Sequence, residues 1–318
     1  MARFQSVRFF RARGFRGFRG FTLIEVLVTI AIIITLIGIL VPVLSSARDR
    51  GRQVASRAQL NGISAAIESY ASTLNTYPGY FDDATLETNN TNFTSTENLV
   101  LSLMGGVTTS LSESGQDRTI TVNGKDHKLF YTRIGSGPTP ASGRKMDAFY
   151  SAKPEELHAL TDGSSQAMPE FVDATTGMPI LYYRVSARGQ KPVSQLPGDN
   201  PMGKIHLDLN ELYLDKTLTS QTNDGYDQTL SLLTPSRTNA INNLAWIVTS
   251  PKLSDVPLTT PASTDANDDN PDIIAGKYVL IAPGPDGIYF NADDNNGADI
   301  TDYKQLGSFD DIVHIGGQ

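Results

Sequence analysis

Cysteine is absent from all 318 residues. That excludes a disulfide framework, a thiolate zinc site and a cysteine nucleophile. Histidine is scarce: His127, His158, His206 and His314 are scattered, without the spacing of a metal-ligand set. No phosphate-binding P-loop and no nucleophile elbow occur. Ser142-Gly143-Arg144-Lys145 fits Ser-x-x-Lys, but it sits in a Gly/Pro loop without the companion motifs and reads as chance. Acidic residues are missing from the first twenty positions, which hold Arg3, Arg8, Arg11, Arg13, Arg16 and Arg19. The formal net charge is -8, so the chain without those six arginines stands at -14. An acidic body argues against nucleic acid as a partner, because phosphate contacts need clustered Lys and Arg. The remainder, 39% hydrophobic and 19% charged, has the composition of a globular protein.

What the sequence does have is one long apolar run. Val26 to Leu44 is nineteen residues with no charge, and only Thr29 and Thr35 are polar. With Phe21 to Ile24 ahead of it, the run suffices to cross a hydrocarbon core of about 30 Å. Basic residues favour the cytoplasmic side, so the six leader arginines predict a cytoplasmic N-terminus and an external body. Arg48, Arg50, Arg52 and Arg57 on the other flank oppose this but are outnumbered. Glu25 lies inside the apolar stretch, where an acid costs on the order of 3 kcal/mol without a partner. It either snorkels to the interface or pairs with a cation, which a new amine at Phe21 would supply if the chain were cut after Gly20. Pro42 removes a helix hydrogen bond and crowds the carbonyl of Gly38, so a bend or local melting is expected there.

Gly20-Phe21-Thr22-Leu23-Ile24-Glu25, followed by the apolar run and Pro42, resembles the N-terminus of type IV pilins and type II secretion pseudopilins. The resemblance implies cleavage by prepilin peptidase between Gly20 and Phe21 and methylation of the new Phe21 terminus. It also implies that Glu25 and Pro42 serve assembly of the helix into a filament. The leader repeats Arg-Gly-Phe, so Phe15 and Phe18 offer rival junctions. Cutting there would put Arg19 or Thr22 five residues after the glycine, whereas the cut before Phe21 puts Glu25 there and begins the apolar run at once. A permanent single-span anchor is one competing reading; a secretory signal cut after Ala47, behind Ser45-Ser46, is another. That reading leaves Glu25 unexplained and has a long h-region.

Ser45 to Leu74 is expected to continue the helix into water. Leu60, Ile63, Ile67, Tyr70 and Leu74 form one apolar stripe at three- and four-residue spacing, and Tyr77-Pro78-Gly79 stops it. Residues 84 to 118, rich in Thr, Ser and Asn, suggest loops with short elements. Thr119–Val122 and Lys128–Arg133 read as a hairpin around Asn123-Gly124, and Pro154–Leu160 as a short helix. Phe171 to Tyr183 resembles a pseudopilin segment through Asp173, Gly177, Pro179 and the tyrosines, a turn followed by an aromatic strand. Residues 186–276 read as an insertion, with a strand at Lys204–Asp208 and an apolar element at Ile241–Thr249.

Asp265 to Asp311 holds eleven Asp, no Glu and two Lys. Lys277–Ala282 reads as a strand, Gly284-Pro285-Asp286-Gly287 as a turn, Ile288–Phe290 as a return and Phe309–Ile315 as a last strand. Hard cations want several oxygens at once, which Asp side chains on loops supply. The spacing is not that of an EF-hand. Gly284-Pro285-Asp286-Gly287 and Ala298-Asp299-Ile300 resemble the ends of the calcium loop of major pseudopilins. That resemblance implies Ca²⁺ as a cofactor, with Asp286, Asp293, Asp294 and Asp299 as ligands. The rival reading is a solvated loop in which Asp and Asn serve turns.

The expected fold is α+β: a long N-terminal helix packed on a small antiparallel sheet, with long loops. Residues 1–20 form the leader, 21–44 the membrane or filament-core helix, 45–78 its amphipathic continuation and 79–318 the external domain with its acidic loop at 284–302. The resemblance implies a structural subunit, a substrate of prepilin peptidase rather than an enzyme. Its partners would be other pilin-like subunits, the inner-membrane assembly platform and membrane lipid. It would begin as a single-pass inner-membrane protein and end in a periplasmic or cell-surface filament. The alternative is an adhesin that borrows the anchor and binds through residues 186–276.

Overall fold

The computed structural model describes residues 21–82, 85–86, 94–110, 112, 114–116, 118–122, 124–139, 143–158, 169–184, 210, 276–290 and 310–317. It is α+β, with a long N-terminal helix and small antiparallel sheets joined by loops. The chain divides into two compact units, Met1–Asp49 and Arg50–Gln318.

Helix α1 runs Leu23–Leu74 with Pro42 inside it. In the first unit its large apolar side chains, from Leu23 to Leu44, are all exposed. The two polar residues of that run are satisfied locally. Thr29 Oγ1 donates to the Val26 carbonyl and Thr35 Oγ1 to the Ala31 carbonyl, each at 2.8 Å. Such back-bonding to the helix is how a hydroxyl is accommodated without water.

In the second unit α1 is amphipathic. Leu60, Ile63, Ile67 and Tyr70 are buried and Leu74 is partly buried, the stripe expected from the sequence. Each fully buried Leu or Ile there contributes about 1.5–3 kcal/mol. The helix ends at Leu74, slightly before Tyr77-Pro78-Gly79. Asn75 takes a left-handed φ of 54° and returns its N–H to the Ala71 carbonyl at 2.8 Å, a role Asn tolerates better than most residues.

Helix α2, Ser95–Met104, falls where the sequence suggested only loops with short elements. Its signal was present: Thr94 is the N-cap of a capping box with Glu97, and the apolar residues follow at once. All ten residues are buried, so no polar face advertised the helix. At its end the Gly105 backbone bridges to Gly137; a Cβ on Gly105 would meet the Gly137 carbonyl oxygen at 2.1 Å.

Strands β1 (Val107–Thr108), β2 (Arg118–Val122) and β3 (Lys125–Leu129) form an antiparallel sheet in the order β1-β3-β2. Val122 pairs with Lys125, so β3 starts three residues before the expected Lys128. Pro154–Glu156 is one 3₁₀ turn rather than a helix. It leads into β4 (Leu157–His158), which pairs with β5 (Glu170–Phe171).

The main sheet places β7 (Tyr278–Ala282) between β6 (Leu181–Arg184) and β8 (Ile312–Gly316), all antiparallel. β7 is buried along its whole length. Tyr278, Leu280 and Ala282 join Leu60, Ile63, Ile67, Leu99 and Leu103 in one core. Ile288–Phe290 is not a return strand: Tyr289 and Phe290 turn, with φ 52° at Phe290. Two contacts hold that turn, the Phe290 N–H on Asp311 Oδ2 at 2.9 Å and the Tyr289 hydroxyl on the Pro179 carbonyl. The expected elements at Lys204–Asp208 and Ile241–Thr249 lie outside the described residues. Asn210 does not: it is buried and donates Nδ2–H to the Tyr182 carbonyl at 2.9 Å.

Candidate processing and assembly segment

Phe21 and Thr22 are non-helical and α1 begins at Leu23. The start is set by a capping box that spans Thr22-Leu23-Ile24-Glu25. Thr22 donates both its backbone N–H and its Oγ1–H to Glu25 Oε2, each at 2.8 Å, and Thr22 Oγ1 accepts the Glu25 N–H at 3.3 Å. The Val26 N–H reaches the Thr22 carbonyl at 3.2 Å. Ser/Thr at the cap and Glu three residues on satisfy each other's orphan donors, and a carboxylate is favoured by the helix dipole at this end. The sequence motif was legible, yet its local meaning was missed. The amine expected at Phe21 would exist only after a cut behind Gly20; in the uncut chain the Glu25 carboxylate is held by Thr22, a local partner the sequence reading did not include.

Phe21 is 82% exposed, and Gly20 lies outside the described residues. Pro42 lies inside α1, and helical backbone is kept on both sides of it. Its carbonyl is used: Ser45 Oγ donates to it at 2.9 Å. A Cβ added to Gly38 would meet nothing within 4 Å, so that glycine is not required by a close neighbour.

In the second unit, Asp286 is exposed in the Gly284–Gly287 turn, which closes with the Gly287 N–H on the Gly284 carbonyl at 3.0 Å. Asp286 Oδ1 accepts the Ile288 N–H at 2.8 Å, so one carboxylate oxygen is spent on the turn. Asp293, Asp294 and Asp299 lie outside the described residues. Among the described residues no cluster of three or more His, Asp or Glu forms a metal site.

Segment 171–183 is a docked turn. Asp173 is fully buried, with no described cation paired to it. Its Oδ1 accepts Ser56 Oγ at 2.8 Å and the Thr175 N–H at 3.1 Å, and its Oδ2 accepts Thr175 Oγ1 at 2.8 Å and Thr176 Oγ1 at 3.0 Å. Four donors make its burial tolerable. Gln59 on α1 bridges the same turn, donating to the Val172 carbonyl at 2.7 Å and accepting from the Ala174 N–H at 3.0 Å.

The scattered histidines conceal one long-range contact. His314 Nε2 lies 2.8 Å from Ser64 Oγ, which is 2.7 Å from the Tyr278 hydroxyl. Burial lowers the His314 pKa from the ordinary histidine value, and the Glu68 charge pushes the other way. Burial also raises the Tyr278 pKa. The contacts tie α1 to β7 and β8. Ser64 sits within α1, where backbone N–H groups are spent on the helix, so its own neighbours along the chain offer no oxyanion-binding pair. A separation of 250 residues left no local signal for it.

Residues 15–41 match the family model described as the prokaryotic N-terminal methylation motif. No curated protein and no solved structure matches the chain.

Proposed function

We propose that this chain, which carries the N-terminal methylation motif of the type IV pilin and pseudopilin family, is a structural subunit of a type II secretion pseudopilus or a type IV pilus-like filament. The observation that carries the reading is one 52-residue helix used in two ways. Its N-terminal stretch exposes every large apolar side chain, which demands a lipid or protein partner. Its C-terminal stretch is the spine of a folded body. In this reading prepilin peptidase cuts between Gly20 and Phe21, and the helix passes from the membrane into a filament core. The residues beyond carry structure, not catalysis. Phe21 and Thr22 precede the helix, which suits a peptidase that must reach an extended bond. Glu25, already organised by Thr22, stands ready to meet a new amine.

Calcium binding by Asp286, Asp293, Asp294 and Asp299 belongs to this reading, and it favours the pseudopilus branch. The donor chemistry suits a hard cation. The deciding experiment is intact-mass and N-terminal peptide analysis of protein from its native membrane. A methylated Phe21 terminus is expected. A start at Arg48, or an uncut Met1, overturns the filament reading.

A further inference from the structure

Three arginines follow the apolar run within little more than one turn of α1. Arg48, Arg50 and Arg52 are all exposed, and Asp49 is the sole acid among them. Helical rise puts them about 6, 9 and 12 Å beyond Leu44. The headgroup zone on each face of a bilayer extends roughly 5–8 Å past the hydrocarbon. Side chains of this length snorkel several ångströms back toward it. At about 100° per residue, Arg50 points to one side of the helix and Arg48 and Arg52 to the other. A protein partner on one face would need one basic face; arginines on opposite faces suit an annulus. Arg52 also donates to the Pro285 carbonyl at 3.4 Å, a long contact that occupies one of its five donors. Arg57 is exposed too, but about 20 Å past Leu44 it is too far out to join them.

We propose that Arg48, Arg50 and Arg52 form a collar that binds the phosphates of anionic phospholipid in the outer leaflet. The inference rests on the membrane-crossing orientation of the proposed function. It adds a partner and a consequence of cleavage. The uncut chain holds six arginines on the leader side of its apolar run and four on the other. Cutting after Gly20 removes all six and leaves the terminal amine and Glu25 at the inner end. The basic flank is then the outer one alone. Cleavage therefore moves the electrostatic anchor from the inner leaflet to the outer leaflet and releases the inner end of the helix.

The absence of cysteine makes the test clean. The full chain carrying Ser46→Cys with a fluorophore is reconstituted in phosphatidylcholine/phosphatidylglycerol vesicles that contain a nitroxide on one lipid or the other. Contact quenching reads only lipid beside Ser46, so lipid gathered by the leader arginines does not contribute. Quenching by the anionic lipid should exceed that by the zwitterionic lipid at least about twofold. The ratio should fall to near one in the Arg48→Gln/Arg50→Gln/Arg52→Gln variant and stay unchanged in Arg57→Gln. Equal quenching in the parent, or a ratio that survives the triple substitution, overturns the proposal. So does a parent ratio of one in which the triple variant loses cross-linking between copies, because the arginines would then face a second chain. The mass of the N-terminus is an independent readout. An uncut chain that keeps the lipid preference sinks the filament reading and leaves the collar; a Phe21 terminus without the preference does the reverse.

Discussion

Thr22 Oγ1 accepts the Glu25 N–H while Thr22 donates twice to the Glu25 carboxylate. Replacing Thr22 by Ala removes the hydroxyl and costs about 1 kcal/mol of helix-end stability. Amide exchange at Leu23 to Val26 in micelles should rise about fivefold or more, and Ser at the same position should restore protection. Unchanged exchange in the Ala variant would show that the box contributes nothing. At the other end of the chain, His314 makes stability depend on pH. Its folded-state pKa is lowered by burial, which outweighs the opposing Glu68 charge. Tyr278 on β7 and Tyr77 after α1 face the same cluster. The folded chain thus binds this proton less readily than the unfolded chain. Its stabilising contribution is present above about pH 6.5 and is lost as the pH falls below it. The melting temperature of the parent should drop more steeply between about pH 7.5 and 5.5 than that of His314→Gln, in which His127 is retained. Parallel curves would remove His314 from the account.

At the scale of elements, the Gln59 bridge and the buried Asp173 seat the 172–176 turn on α1. Gln59→Ala strands a buried carbonyl at Val172 and an N–H at Ala174. It should cost about 1–3 kcal/mol, read as a lower urea midpoint at constant slope. A midpoint shift under about 0.5 kcal/mol would mean that water replaces the bridge. The same elements explain what the sequence disclosed. Leu60, Ile63, Ile67 and Tyr70 announced α1 because one face of it is wet and period 3.6 shows. α2 was hidden because it is buried all round, and only its capping box spoke for it. Lys125 to Lys128 of β3 belongs to a half-exposed strand of charged residues, so no alternation marked its start. The return after Gly287 failed because Phe290 turns with a positive φ, anchored by Asp311 twenty-one residues later.

For the whole molecule, the N-terminal segment was legible because its signals are short-range: a run of apolar residues, a glycine, and an acid at a fixed spacing. The contacts of the body were not, since Ser56 to Asp173 and Ser64 to His314 close over 117 and 250 residues. The same long closures give a stability prediction. If the acidic loop holds calcium, ordering it should stabilise the body by mass action. Chelation should lower the melting temperature by several degrees, and Asp293→Asn/Asp294→Asn should abolish that response. A melting temperature indifferent to chelator would return the loop to the role of solvated turns.

The ties along α1 also carry a mechanical consequence. Ser56, Gln59 and Ser64 sit within eight residues of one another, about 12 Å of helix; the first two grip the 172–176 turn and the third grips β7. Tension applied along the helix would meet these bonds in shear, loaded together, instead of peeling them one by one. The last strand shares that load through His314. If the chain assembles as proposed, a pull on the helix reaches the body through these ties at once.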